Sequence, residues 1–348
     1  MIHLGEPLVS IVIPAYNCER WIGPTLDSAS NQTHRRLEIV VVDDGSTDGT
    51  ADIVRAKAAR DNRIRLIAQK SSGVAAARNR GLVEGRGSYF APLDADDLWH
   101  PRKIELQVAT FQRAGQDAAL VYAWSSIIDE DGRIIGHAAQ RRVEGKVLAE
   151  LVAHNFISNA SVPLIRIAAA RAVGGYDEGL YRMNAQGCED IKFHFAIAER
   201  WAIAMVSEIL VGYRRTNDSM SMNVQRMHRS RALVLSDLRQ RHPKIPAAAF
   251  RMSDQRFALW AATRCIQAGR NSEGYRLIAM AMHRDPLLPV RRYARPYVGQ
   301  VLRSWENRLG LGRMLPPGRG EFFLPAGGSA APPTDAGSGK ALPETSFR

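Results

Sequence analysis

Cysteine is scarce. Three in 348 residues, Cys18, Cys188 and Cys265, are odd in number, far apart and without a Cys-x-x-Cys spacing, so neither a disulfide framework nor a zinc site is indicated. Long apolar runs are missing too: none reaches the roughly 18 residues that a membrane-spanning helix needs. The first residues enter a strand pattern without the basic and apolar segments of a secretion leader. We therefore expect a cytoplasmic chain in a reducing environment, with no transmembrane helix. No Gly-x-Gly-x-x-Gly follows the first strand pattern, and no Gly-x-x-x-x-Gly-Lys-Ser/Thr loop occurs. A dinucleotide cofactor is not expected, and phosphates must be held by side chains or a metal.

Acidic residues are thin in one segment only. Residues 1–222 carry 26 Lys and Arg against 27 Asp and Glu, residues 314–348 carry 3 of each, and residues 223–313 carry 18 against 5. That segment holds the whole positive excess of the chain. It suits a polyanionic neighbour, above all an anionic membrane surface with peripheral attachment, and an arginine-rich solvated face explains it as well. Nucleic acid is the less favoured partner.

With 45% hydrophobic residues the chain can bury a sizeable core. Residues 8–14 (LVSIVIP) and 37–42 (LEIVVV) are continuous apolar runs of strand length, as central parallel strands covered on both faces require. Residues 63–68 and 89–93 give two more strands, and helical patterns lie between. The order β-α-β-α-β-α-β predicts a doubly wound, mostly parallel α/β sheet. Residues 103–114 read as a helix, 118–124 as a strand and 127–135 as a hairpin that makes the sheet mixed at that edge. Strands are expected at 162–167 and 202–213, with helices at 168–173 and 191–200. From 225 to 309 the pattern is helical, including a helical hairpin that turns near Gly269. Its last helix, 297–309, places Tyr297, Trp305 and Leu309 on one face, which fits either an interfacial helix or packing. Residues 314–348, rich in Pro, Gly, Ser and Ala, read as disordered.

Ligands of such sheets collect at the carboxyl ends of the strands. There stand Pro14-Ala15-Tyr16, Asp43-Asp44 and Asp94-Ala95-Asp96-Asp97. Carboxylates crowded after a buried strand repel one another and are costly to desolvate, so a neutralising cation is the natural complement. All-oxygen ligation suits Mg²⁺ or Mn²⁺. A solvated acidic turn capping the next helix is the plain alternative. Asp43 can accept from a nucleobase N–H, with Tyr16 packed on the base. Arg78 is placed for a phosphate or for a surface ion pair. Glu189 and Asp190 enter a helix, where acidic residues complement the macrodipole.

Taken in order, the blocks SIVIPAYN, VVDDGSTDGT, GVAAARNRGL, LDADD, GGYDE, GCED and GYRR resemble the family 2 glycosyltransferases over about residues 7–221. The resemblance implies a GT-A catalytic domain over residues 1–222, followed by the basic helical extension 223–313 and the tail 314–348. It implies an inverting, metal-dependent transferase that moves a sugar from a nucleotide-diphospho-sugar to an acceptor hydroxyl of a glycan or lipid-linked acceptor. Family roles place Pro14, Tyr16 and Asp43 at the nucleoside, Asp94 at the ribose side, Asp96 on Mg²⁺ or Mn²⁺ and Asp190 as general base. Arg78 is assigned to the donor, and Glu189, Asp97 and Asp177 to the acceptor side or to support. One departure stands out. Many relatives follow Tyr-Arg with a His three residues before a Ser; here Arg214 is followed by Arg215-Thr216-Asn217-Asp218-Ser219, which leaves Arg215 or Asn217 to meet the diphosphate. Two other readings stay open: a metal-dependent nucleotidyltransferase, which does not need Gly-Cys-Glu-Asp, and a non-catalytic membrane or nucleic-acid binding module.

Overall fold

A computed structural model describes residues 6–216, 219–284 and 320–324. Strand β1 (Val9–Ala15) is buried at every position. It is central, pairing in parallel with β2 (Leu37–Asp43) on one side and β4 (Tyr89–Pro92) on the other, while β3 (Ile64–Ala68) extends β2. This is why its sequence is apolar without alternation: helices cover both faces. The connecting helices are α1 (Glu19–Ser30), α2 (Thr50–Ala58) and α3 (Val74–Glu84). Helix α3 lies so close to β1 that a Cβ on Gly81 would stand 2.1 Å from Val12 Cγ1. Only glycine permits that approach.

Beyond β4 the sheet changes character. The order is β3-β2-β1-β4-β8-β6-β9-β5, with β7 (Ile134–His137) paired outside β6 (Ala118–Ile128). Strand β8 (Leu164–Arg166) runs antiparallel to both β4 and β6, and β5 (Leu98–Trp99) runs antiparallel to β9 (Ala202–Arg214). Strands β6 and β9 pair in parallel with three register shifts, which bend them. The parallel half matches the expected order, and the mixed character extends from the anticipated hairpin edge to β8 and β5. Helix α4 (Lys103–Ala114) falls where expected. Two short helices, α5 (Leu148–His154) and α7 (Gly179–Arg182), were not anticipated. Helix α6 (Ile167–Ala172) precedes α7, and α8 (Glu189–Ala198) begins two residues before its expected start.

The extension is packed rather than tethered. Helices α9 (Val224–Arg241), α10 (Ala247–Gln267) and α11 (Asn271–Arg284) follow, with α10 and α11 joined through Gly269 at φ +74°. Val234, Leu235, Leu238, Ala249 and Phe250 belong to the same apolar cluster as the sheet. Helix 297–309 with Trp305 lies outside the described residues. Of the segment read as disordered, residues 320–324 run beside β7, where Gly320 N donates to Ile134 O and Ile134 N to Glu321 O, each at 2.8 Å. Phe322 takes the Arg133 guanidinium 4.1 Å from its ring centre, an apolar anchor that composition alone hid. Among the described residues no helix is long and apolar enough to cross a membrane.

Candidate active site

The first two strand ends are tied together. Asn17 adopts φ 46° after β1, accepts from Thr47 N at 2.8 Å and donates its own N–H to Ser46 Oγ at 3.0 Å. Asp43 Oδ1 accepts from Ser46 N at 3.0 Å. Asp44 is structural: it accepts from Gln69 Nε2 at 2.7 Å and from the Ser72 and Gly73 amides at 2.9 Å, fixing the entry to α3.

The acidic turn between β4 and β5 is held from behind. Asp97 is fully buried, accepting from Ser161 Oγ at 2.5 Å and from Arg214 N at 2.8 Å. Burial, then the charges of Asp96 and Asp94, push its carboxyl well above the usual range. Ser161 Oγ also accepts from Asp94 N at 2.9 Å, and Arg214 Nε donates to Asp96 O at 2.7 Å. These bonds go to backbone atoms of Asp94 and Asp96, whose side chains line the crevice. Asp94 Oδ1 accepts from Arg78 Nη2 at 2.5 Å. Arg78 is buried, 5.3 Å from the ring centre of Tyr176, so its ion pair is not the surface pair that the sequence allowed. Asp96 accepts no hydrogen bond from another described side chain, and burial, then the charge of Asp94, raises it to about 6.

Across the crevice, Asp190 is half-buried in the first turn of α8. Burial pushes its carboxyl up to about 7, against the pull of Arg78. Glu189 is buried and accepts from Gly187 N at 2.7 Å, while its Oε1 has no partner. Gly187 has φ +125°, and a Cβ there would stand 2.1 Å from Met227 Sδ of α9. Cys188 N donates to Ser230 Oγ, also of α9, at 3.0 Å.

A cavity of about 860 Å³ brings together Pro14, Tyr16, Arg78, Asp94, Asp96 and Asp190, with Glu189 in its wall. Tyr16 is 57% exposed at this opening. Asp43 and Asp97 stand behind the lining. Asp177 is elsewhere, bound to Lys192 Nζ at 2.6 Å and to Gly179 N at 2.7 Å beside a separate hollow. Arg215 lines the cavity; Asn217 lies outside the described residues. Sequence reasoning missed Ser161 and Tyr176, whose roles rest on contacts far along the chain. It also missed Phe257, Trp260 and Arg264 of α10, which complete the far wall.

No group of three or more His, Cys, Asp or Glu forms a metal cage among the described residues. Asp94 and Asp96 nevertheless fit an open Mg²⁺ or Mn²⁺ site: two neighbouring carboxylates, one with its pKa raised by burial and by the charge of the other, are the donor set that these ions complete with phosphate oxygens and water.

A parallel half-sheet that ends in an acidic turn, facing a carboxylate on a helix beyond a mixed half-sheet, has the GT-A glycosyltransferase architecture. Solved structures share it. A mannosyltransferase, PcManGT from Pyrobaculum calidifontis in complex with GDP-Man and Mn²⁺, superposes with a TM-score of 0.57 at 17% identity over 87% of this chain and 84% of that one. S. aureus TarS 1-349 in complex with UDP-GlcNAc gives 0.53 at 16% identity over 79% and 90%. Residues 10–157 match the model of glycosyl transferase family 2. An Escherichia coli chondroitin synthase is 38% identical over 152 residues, 43% of this chain and 22% of that protein. A putative teichuronic acid biosynthesis glycosyltransferase of Bacillus subtilis, TuaG, is 28% identical over 242 residues, 68% of this chain and 90% of that protein. The chain thus spans under a quarter of the chondroitin synthase and most of TuaG.

Proposed function

We propose that the chain is an inverting, metal-dependent glycosyltransferase that passes a sugar from a nucleotide-diphospho-sugar to an acceptor hydroxyl in glycan or glycoconjugate synthesis. The observation that carries this reading is the convergence of Asp94 and Asp96 from one strand end and Asp190 from helix α8 on one cavity. Pro14 and Tyr16 form the rim for the nucleoside, and Asp43 holds the loop behind it. Asp96 would hold a divalent cation, which would supply Lewis-acid neutralisation of the departing diphosphate. Asp190, held near neutrality, takes the proton of the attacking hydroxyl. With one carboxylate on the acceptor side and the others on the donor side, a single displacement inverts the anomeric carbon without an enzyme nucleophile. The named activities of the chondroitin synthase and TuaG relatives support polymer or glycoconjugate synthesis as the setting. The nucleotidyltransferase alternative leaves Asp190 without a task.

The test is a thermal-shift screen of nucleotide-sugars with and without Mn²⁺. A ligand that binds only the folded state at a hundred times its dissociation constant adds about 2.7 kcal/mol. The proposal expects a rise in Tm for at least one nucleotide-sugar, and only with the metal. No shift across the common uridine, guanosine, adenosine, cytidine and thymidine donors would contradict it.

A further inference from the structure

One corner of the cavity carries positive charge that the carboxylates do not answer. Arg264 of α10 lines the cavity although only 3% of it is exposed. Its guanidinium reaches Ser221 Oγ at 3.3 Å and Met222 Sδ at 3.6 Å, and lies 5.7 Å from the centre of the Trp260 ring. None of these partners is charged. Arg215, one residue past β9, lines the same cavity half-buried, and its Nε is buried without a hydrogen-bond partner. No carboxylate of the described residues forms an ion pair with either side chain. Two other enclosed arginines are matched, Arg78 with Asp94 at 2.5 Å and Arg231 with Asp254 at 2.9 Å, and buried Arg214 donates to the carbonyls of Asp96, Asp129 and Glu130.

The two guanidiniums are near enough to repel. Burial lowers the pKa of Arg264, and the charge of Arg215 lowers it further. Desolvated like charges without a counter-ion are costly, so the arrangement is one that an anion would complete. Their place says which anion. Arg214 Nε bonds the carbonyl of Asp96 at 2.7 Å, and β9 pairs with β5, Leu98 opposite Gly212. Arg215 therefore follows directly on the residue that grips the acidic turn.

We infer that Arg215 and Arg264 clamp the diphosphate of the nucleotide-sugar, taking up the charge that grows on the leaving group. The inference rests on the glycosyltransferase reading above and makes α10 a working wall of the active site. Planar, forked guanidiniums suit phosphate oxygens.

Calorimetry on the full chain tests it. UDP, GDP, ADP, CDP and dTDP are titrated with Mn²⁺ present, and the diphosphate that binds is then compared with its nucleoside in wild type, Arg264→Ala, Arg264→Lys and Arg215→Gln. Each neutral variant is expected to lose about 10- to 100-fold for the diphosphate, the range of a lost charge-assisted hydrogen bond, with nucleoside affinity unchanged. Arg264→Lys retains part of the affinity. Arg215 lies in a loop and is half-buried, so Arg215→Gln carries the test where Arg264→Ala lowers the Tm. Unchanged diphosphate affinity in Arg215→Gln and in a folded Arg264 variant would overturn the clamp and leave the corner to a phosphate or carboxylate of the acceptor. An equal loss for nucleoside and diphosphate would overturn it as well, since a distorted pocket explains that result. If wild type binds no diphosphate, the glycosyltransferase reading fails and the clamp fails with it; if wild type binds and both neutral variants bind equally, only the clamp fails.

Discussion

On the wall formed by β1, β2 and β4, charge is paired and locked: Arg78 holds Asp94 at 2.5 Å, and Asp44 takes two backbone amides and Gln69. On the wall formed by β9 and α10, Arg215 and Arg264 are enclosed and have no ion pair with a described carboxylate. Asp96 and Asp190, whose carboxyls are pushed up to about 6 and about 7, line the same cavity. The first wall is a scaffold that stands without ligand. On the proposed reading the second stores unsatisfied charge that substrate relieves, which is how preorganised polar sites stabilise charge that develops during reaction.

The comparison breaks most sharply at Asp190. Asp190→Asn is expected to lower transfer by roughly a hundredfold or more while donor binding stays close to wild type, as for a lost general base. Turnover at the wild-type rate would leave Asp190 as a complement to the α8 dipole. Since burial raises its pKa to about 7 and only the ionised form accepts a proton, wild-type transfer should fall about tenfold per pH unit below neutrality. In Asp190→Asn that limb should disappear. Next comes Arg78→Met on the locked wall, which strands Asp94 beside Asp96 and should cost about 3 kcal/mol in urea unfolding, the low end for a broken buried pair because Asp94 keeps 26% exposure. A loss below about 1 kcal/mol would mean the pair is not needed for the scaffold. Gly81→Ala drives a methyl into Val12 and should cost about 1–3 kcal/mol without changing the nucleotide affinity of the folded protein. Smallest in stability is Tyr16→Ala: the ring is 57% exposed, so unfolding should shift by under about 0.5 kcal/mol while nucleoside affinity falls.

The locked wall was legible because local chemistry writes it. A run such as VSIVIPA, apolar but for Ser10 and buried at every position, marks a strand covered on both faces, and the rule that ligands gather at strand ends then joined Tyr16 to Asp94 and Asp96. The open wall was not legible. Arg264 sits 49 residues beyond Arg215, and nothing in the helical pattern of α10 distinguishes a cavity arginine from a surface one. Asp177 and Asp97 show the limit from the other side. Both are acidic residues in matching blocks, yet Asp177 answers Lys192 and Asp97 is buried against Ser161, contacts that depend on tertiary folding. Helices α5 and α7 escaped because they span only 7 and 4 residues and have no side-chain N-cap bond, so they leave little periodicity to read.

The most direct test of the metal-dependent donor site is calorimetric titration of a nucleoside diphosphate into wild type and Asp96→Asn, each with Mn²⁺ and with EDTA. Asp94 and Asp96 repel a bare diphosphate, so wild type should bind it tightly with Mn²⁺ and only weakly with EDTA, and Asp96→Asn should lose most of that metal-dependent gain. Equal affinity in wild type with and without metal would contradict the account.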